Sequence, residues 1–289
     1  MSAHLKNFIN VTRLNKPIGF LLLFWPCTWG LSLAHYFKQD LNTFLYYLFL
    51  FFCGSILMRS AGCIVNDIVD EKIDKKVSRT KDRPIASGSL NKNTAWIYVL
   101  FLCSLAFLIL IQFNLLTISL GIFSMIFAFS YPFMKRFTYW PQLFLGFTFN
   151  WGIIMAWTAI TNNISYLPIV LYAGAIFWTL GYDTIYGLQD ISDDEVIGVK
   201  STTIKFKNNL NLFIGGCYFI SSVLIFFVMA NLKINYSFLF LLFFMISLFY
   251  QIKIYSLKNS TAYFRAFKLN NISGLFVFLA FLLQTIKIQ

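Results

Sequence analysis

Ten of the chain's eleven acidic residues fall into two short runs. The first holds Asp67, Asp70, Glu71, Asp74 and Asp82, the second Asp183, Asp190, Asp193, Asp194 and Glu195, and only Asp40 lies elsewhere. Each run begins at the end of an apolar stretch, where an unpaired carboxylate costs about 2.5–3.5 kcal/mol even on a lenient membrane-insertion scale. At about 100° per residue, Asp67, Asp70 and Asp74 span about 60° of a continuing helix, and Asp183, Asp190 and Asp194 about 40°. Each segment is expected to present one stripe of carboxylates. Such a stripe repels itself unless cations sit among its members. Hard divalent cations such as Mg2+ take oxygen ligands, commonly one or two carboxylates together with substrate phosphates and water. Two facing stripes can hold metal ions with a diphosphate between them.

The neighbouring cations suit that chemistry. The segment from Lys75 to Pro84 places Arg79 and Arg83 beside the first stripe, and Lys200 follows the second. Guanidinium forks and lysine point charges both match phosphate oxygens. Most of the other basic residues read as ordinary membrane-surface charges. Mutual salt bridging is the structural alternative for the carboxylates, but ten acids at two helix ends exceed what bridging requires. Arg59 lies about two helical turns deeper than Asp67, and an ionisable group at that depth is a functional candidate by default. Its plainer role is to partner an inward carboxylate or backbone carbonyls.

The elements that must carry these residues are membrane spans. With 289 residues, 58% of them hydrophobic and a mean hydropathy of +0.70, the chain is far from a soluble domain. Apolar stretches long enough to cross a hydrocarbon core of about 30 Å occur near 18–37, 44–65, 94–112, 115–134, 142–161, 165–187, 210–231, 236–255 and 270–286. The expected fold is an all-α bundle of about nine transmembrane helices, with 1–289 as one domain because no linker or low-complexity tract divides it. The stretches flanking 112–114 and 161–163 are short enough to be re-entrant instead of full crossings. A cytoplasmic N-terminus puts all but Lys38, Lys233 and Lys287 of the 23 basic residues on the inner side. The positive-inside rule therefore predicts that both acidic runs face the cytoplasm. Residues 1–16 hold no apolar core, so no cleaved signal peptide is expected.

Several function classes fall away. The net charge of +12 is spread over loops and forms no single basic and aromatic patch, which argues against nucleic acid as a partner. Five scattered cysteines without a CxxC pair read as packing residues. Two histidines argue against an imidazole-ligated zinc site. Any metal is bound by oxygen. A divalent-cation transporter is the competing class, but carboxylates clustered at one membrane face form no path across it, and adjacent lysines and arginines repel cations.

The stretch Met58 to Asp70, with Asp74, Arg79-Thr80, Arg83-Pro84 and Ser87-Gly88, closely resembles the first signature of the UbiA family of membrane-embedded aromatic prenyltransferases. Tyr182 to Tyr186, Asp190, Asp193-Asp194 and Gly198 to Thr202 are similar to its second signature. The opening Arg13 to Gly19, with Trp25-Pro26, Trp29, Tyr131-Pro132 and Lys135-Arg136, is similar to the family's 4-hydroxybenzoate branch. The match covers nearly the whole chain. It implies a helical bundle around a central cavity open to lipid, in a bacterial inner membrane or, failing that, a mitochondrial one. It also implies Mg2+-dependent transfer of a polyprenyl group from polyprenyl diphosphate to the ring carbon ortho to the hydroxyl of 4-hydroxybenzoate, a step of ubiquinone biosynthesis. Other acceptors used by the family are dihydroxynaphthoate, homogentisate, haem or a glycerol phosphate. On this scheme Asp67, Asp70, Asp74, Asp190 and Asp194 carry metal, Asn66 offers a neutral oxygen or an orienting contact, and Asp183 holds metal or helps activate the phenol. Arg79, Arg83 and Lys200 grip diphosphate oxygens, while Tyr186 and Arg59 contact substrate. Arg136 takes the acceptor's carboxylate.

Overall fold

The computed structural model describes residues 3–285, and Lys287 lies outside them. Among the described residues every regular element is a helix, as the composition predicts. A short α1 (Ala3–Thr12) leads into α2 (Ile18–Lys38) and the long α3 (Leu41–Asp74). Then come α4 (Lys92–Leu110), α5 (Leu115–Phe137), α6 (Pro141–Asn150), α7 (Gly152–Thr161) and α8 (Tyr166–Gly187). Two short helices, α9 (Ile191–Ile197) and α10 (Thr202–Lys205), precede α11 (Leu210–Ala230), α12 (Phe238–Tyr255) and α13 (Ser260–Gln284).

Among the described residues eight spans are long and apolar enough to cross a membrane, α6 and α7 counting together as one. The helix missing from that set is α8, whose 22 residues are long enough but include Gly174, Gly181, Asp183 and four tyrosines. It can afford that polarity because it is largely buried among other helices. The predicted 142–161 crossing is broken at Trp151, which closes α6 while its indole donates to Leu120 O at 3.0 Å. The last helix starts ten residues before the predicted boundary: Asn259 caps it by accepting from Ala262 N. Its first turns also carry Arg265, Lys268 and Asn270, polar residues that the apolar count passed over.

Helix ends and interior contacts follow from local chemistry. Asp40, Asn91 and Asn114 cap α3, α4 and α5 through hydrogen bonds from Thr43 N, Thr94 N and Thr117 N. At 34 residues α3 is about 51 Å long, well beyond a hydrocarbon core of about 30 Å. Its acid-bearing last turns therefore overhang the apolar part.

Lipid gives helices no hydrophobic reason to associate, so close approach at small residues and interhelical hydrogen bonds must do it. Trp29 of α2 and Trp178 of α8 lie 5.0 Å apart between ring centroids, and their indoles donate to Gly274 O (2.9 Å) and Asn270 Oδ1 (2.8 Å) on α13. The α2/α7 contact is closer still. A Cβ at Gly30 would stand 2.4 Å from Ile153 O, a backbone atom that cannot move aside.

Replacing Gly30 by Leu is therefore expected to destabilise the bundle by at least about 1–3 kcal/mol through overpacking. Thermal unfolding in detergent measures it, with Gly216→Leu, where an added Cβ meets nothing within 4 Å, unaffected in comparison.

Candidate active site

The last turns of α3 bring Asp67, Asp70 and Asp74 to one side of the helix, as the spacing predicts, and all three are buried. The second stripe forms differently. Helix α8 stops at Gly187, whose Cβ position lies 2.5 Å from Thr203 Oγ1 of α10 packed against it. A turn over 188–190 then starts α9. Asp183 remains on α8 within the bundle, while Asp190 and Asp194 sit on a separate segment, so the expected single 40° stripe does not exist.

Ion pairs account for more of the carboxylates than the sequence reading allowed. Arg83 Nη1 bridges Asp67 (3.1 Å) and Asp74 (2.8 Å), and Arg13 Nη2 reaches Asp67 at 2.5 Å. Lys135 of α5 binds Asp70 Oδ2 at 2.5 Å. Arg79 forms a two-pronged pair with Asp190, Nε to Oδ1 at 2.7 Å and Nη2 to Oδ2 at 2.5 Å. The same guanidinium donates to the Tyr186 hydroxyl at 3.1 Å. Ser78 N donates to Asp193 Oδ2 at 2.8 Å, so the loop after α3 is tied to the segment after α8 at two points. Glu71 and Glu195 are spent on exposed lysines, Lys75 with Lys92 and Lys207 respectively.

Several of these groups stand on the wall of one cavity of about 790 Å³, within the usual range for ligand sites. Asn66, Asp70, Asp74, Asp183, Asp190 and Asp194 line it, together with Arg59, Arg79, Arg83 and Tyr186. Asp67 does not, being held behind Arg13 and Arg83. Lys200 and Arg136 also stay off the wall. The Lys200 ammonium reaches Phe137 O at 3.3 Å, and Arg136 donates to Val69 O at 2.6 Å and lies over the Phe133 ring. Arg59 lies 5.2 Å above the Phe149 ring, its Nε buried without a hydrogen bond. Gly19 is what makes room for it: a Cβ there would come within 2.8 Å of that Nε.

Sequence reasoning passed over Arg13 and Lys135 as site residues. Lys135 was hidden by its neighbour: one step along α5 decides which of two adjacent cations faces the cavity. A second groove of about 410 Å³ between α11 and α12 is lined mostly by apolar side chains, with Tyr218 and Ser222, and by no charged group. The ionic chemistry belongs to the first cavity.

Among the described residues no three His, Cys, Asp or Glu side chains are already gathered as a metal cage. The donor set nonetheless fits a hard cation. Among the described residues Asp183 and Asp194 make no ion pair, and Asp70 Oδ1 is buried without a hydrogen bond, 3.7 Å from the Arg136 guanidinium. These are hard oxygen donors, and neither histidine lines this cavity.

The chain is thus a helical membrane bundle whose two acid-bearing segments close one end of an amphipathic cavity. Residues 23–278 match the model of the UbiA prenyltransferase family, and the chain belongs to it. It is 38% identical over 278 residues to 4-hydroxybenzoate octaprenyltransferase of Vibrio atlanticus, covering 96% of both chains. It is 47% identical over 203 residues to the mitochondrial 4-hydroxybenzoate polyprenyltransferase of Caenorhabditis elegans, covering 70% of this chain and 56% of that protein. The chain thus spans just over half the length of its mitochondrial relatives. Its fold matches the apo structure of a UbiA homologue from Aeropyrum pernix K1 with a TM-score of 0.78 at 19% identity, covering 92% of this chain and 98% of that one. A UbiA homologue from Archaeoglobus fulgidus, bound to GPP and Mg2+, matches at 0.67 and 14% identity, with 97% and 100% covered.

Burial, and secondarily the charge of Asp190, raises the Asp194 carboxyl to about 6. A carboxyl whose folded value exceeds its unfolded one holds its proton better when folded. Stability therefore falls as pH rises from the ordinary carboxylate range through about 6. Asp194→Asn should raise the melting temperature of the metal-free protein at about pH 7.5, the gain shrinking towards about pH 4.5. Thermal unfolding with a chelator present, scanned over pH, measures it.

Proposed function

We propose that the chain transfers a polyprenyl group from polyprenyl diphosphate to the ring carbon ortho to the hydroxyl of 4-hydroxybenzoate, with Mg2+, as a step of ubiquinone biosynthesis. The observation that carries this reading is the cavity itself. Its polar end is walled by Asp70, Asp74, Asp190 and Asp194 with Arg79 and Arg83, and its other walls are mostly apolar, with Arg59 and Asp183 among them. That pairing of an anion and metal site with a greasy channel suits a diphosphate joined to a prenyl tail. The relatives named for this activity, and the neighbour bound to GPP and Mg2+, support the same reading.

Asp70, Asp74, Asp190 and Asp194, with Asn66 beside them, would hold the metal. Asp67 would join them only by releasing Arg13 and Arg83, and otherwise orients both. When bound, Mg2+ supplies the Lewis acidity that neutralises charge on the departing diphosphate. Arg79, Arg83, Arg13 and Lys135 donate to the diphosphate oxygens as the allylic C–O bond breaks and its electron pair leaves with the diphosphate. The ortho ring carbon bonds to the allylic carbon and then gives up its proton to the released diphosphate. Asp183 either accepts the phenol proton or holds metal. Phe149, Phe264, Phe267 and Tyr131 line the cavity, excluding water and facing positive charge with their rings.

For the acceptor's carboxylate, Arg59 is better placed than Arg136. Its guanidinium lies at the wall with an unbonded Nε, whereas Arg136 is spent on Val69 O. The distribution of basic residues supports a cytoplasmic N-terminus in a bacterial inner membrane, and the chain acts as one transmembrane domain.

Membranes containing the chain, a labelled prenyl diphosphate and 4-hydroxybenzoate test the proposal. The parent should form product only with divalent metal, and Asp70→Ala, Asp190→Ala and Arg79→Ala should each lose about 100-fold or more in rate. Product with dihydroxynaphthoate or homogentisate but not 4-hydroxybenzoate would overturn the acceptor. No transfer to any acceptor would overturn the class.

A further inference from the structure

One slowly winding ridge of α3, turning about 40° with each step of four residues, forms a wall of the cavity along most of its length. Gly54, Met58, Gly62, Asn66 and Asp70, four residues apart, all line it, which puts Gly54 about 24 Å from Asp70 at 1.5 Å per residue. Glycine weakens a helix interior, so its presence there calls for a reason. At three other cavity glycines the reason is a neighbour that fills the missing side chain's place. A Cβ at Gly19 would meet Arg59 Nε at 2.8 Å, at Gly152 Cys27 Sγ at 2.4 Å, and at Gly121 Leu110 Cδ1 at 2.5 Å. Gly54 and Gly62 are different, because a Cβ at either meets nothing within 4 Å. The space left by their missing side chains is cavity.

The two open glycines lie at different depths. Gly62 is about 12 Å from Asp70 along the helix, where the first units of any prenyl donor anchored at the acidic end must pass. Gly54 lies beyond that, next to the apolar residues Leu50, Phe51, Leu110 and Phe113, which also line the cavity. There the Phe51 and Phe113 rings pack 5.0 Å apart and narrow the far end.

We propose that Gly54 sets the length of prenyl donor that the site accepts: its missing side chain keeps open the passage between the reacting end and the apolar far end. This rests on the prenyl-transfer reading above. A short donor ends before it reaches Gly54, and a long one must run past it. A bulky side chain at this position discriminates by length without touching the reacting atoms.

The test compares the parent, Gly54→Phe and the smaller Gly54→Leu with geranyl diphosphate and with a long polyprenyl diphosphate, at saturating acceptor and Mg2+. Gly216→Phe serves as control, since Gly216 is exposed on α11, away from the cavity, and also has open space. For geranyl diphosphate, kcat/KM should stay within about threefold of the parent in both variants. For the long donor it should fall at least about tenfold, more for Phe than for Leu. A merely structural effect lowers both donors together and, like unchanged use of the long donor, overturns the proposal while leaving the parent's activity in place. A parent inactive with every donor overturns the transfer reading and this inference with it. Should Gly54→Phe fail to fold, the ratio of the two donors in Gly54→Leu decides.

Discussion

Carboxylates at the edge of an apolar slab must be neutralised, and the architecture of the acidic end follows from that. Arg83 shared between Asp67 and Asp74, Lys135 on Asp70 and Arg79 on Asp190 each join segments that the chain keeps apart. Removing one member of a buried pair is far more damaging than the pair is stabilising, because the survivor is left charged in a medium that solvates it poorly. The pairs therefore act as latches. They hold the loop after α3 against the segment after α8, and α5 against α3. A site whose anions and cations already neutralise one another can also exchange partners cheaply: phosphate oxygens for the carboxylate on each guanidinium, and divalent cations for the guanidinium on each carboxylate. Charge is matched before and after.

Helix length sets where that exchange takes place. Because α3 overhangs the hydrocarbon thickness, its carboxylates emerge near polar surroundings, while the residues deeper than Asn66 on the same helix that line the cavity are apolar apart from Arg59 and Ser55. Helix α8 solves the problem in another way. It ends at Gly187, and the turn that follows lets Asp190 point at Arg79 and Asp193 accept from Ser78 N. Had α8 continued, Asp190 and Asp194 would have risen along its own axis instead of crossing to the loop after α3.

The spans, their order and the convergence of two acidic motifs could be read from the sequence because each depends on short-range pattern: hydropathy over about twenty residues, and carboxylates three or four apart. What could not be read depends on choices a few ångströms wide. Lys135 and Arg136 are adjacent cations on one helix, and only the rotation of α5 against α3 decides which meets Asp70. Lys200 follows the second motif, yet its ammonium is taken up by Phe137 O and the Tyr139 ring. Arg13 is far from either motif in sequence. It reaches Asp67 because the chain between α1 and α2 turns back there, with Arg13 itself in the left-handed region at φ 57°. The α8 stripe was misjudged because periodicity predicts how a helix would face and says little about where it stops.

A large cavity with apolar walls needs a frame that does not collapse onto it, and in lipid that frame cannot come from hydrophobic association. Hydrogen bonds between helices supply it. Asn150 of α6 donates to Ala175 O and Thr179 Oγ1 on α8, and Asn114 ahead of α5 donates to Thr158 O and Ala159 O on α7. Thr184 meets Thr202, and Thr203 donates to Thr184 O, fixing the loop that carries α10 under the end of α8. On the far side Tyr218, Gln251, Ser273 and Ser247 form a chain across α11, α12 and α13. Breaking any of these leaves polar groups unpaired in a medium without water to take their place. Helix spacing is thereby fixed from outside the cavity, and its walls are free to be shaped by what must fit inside.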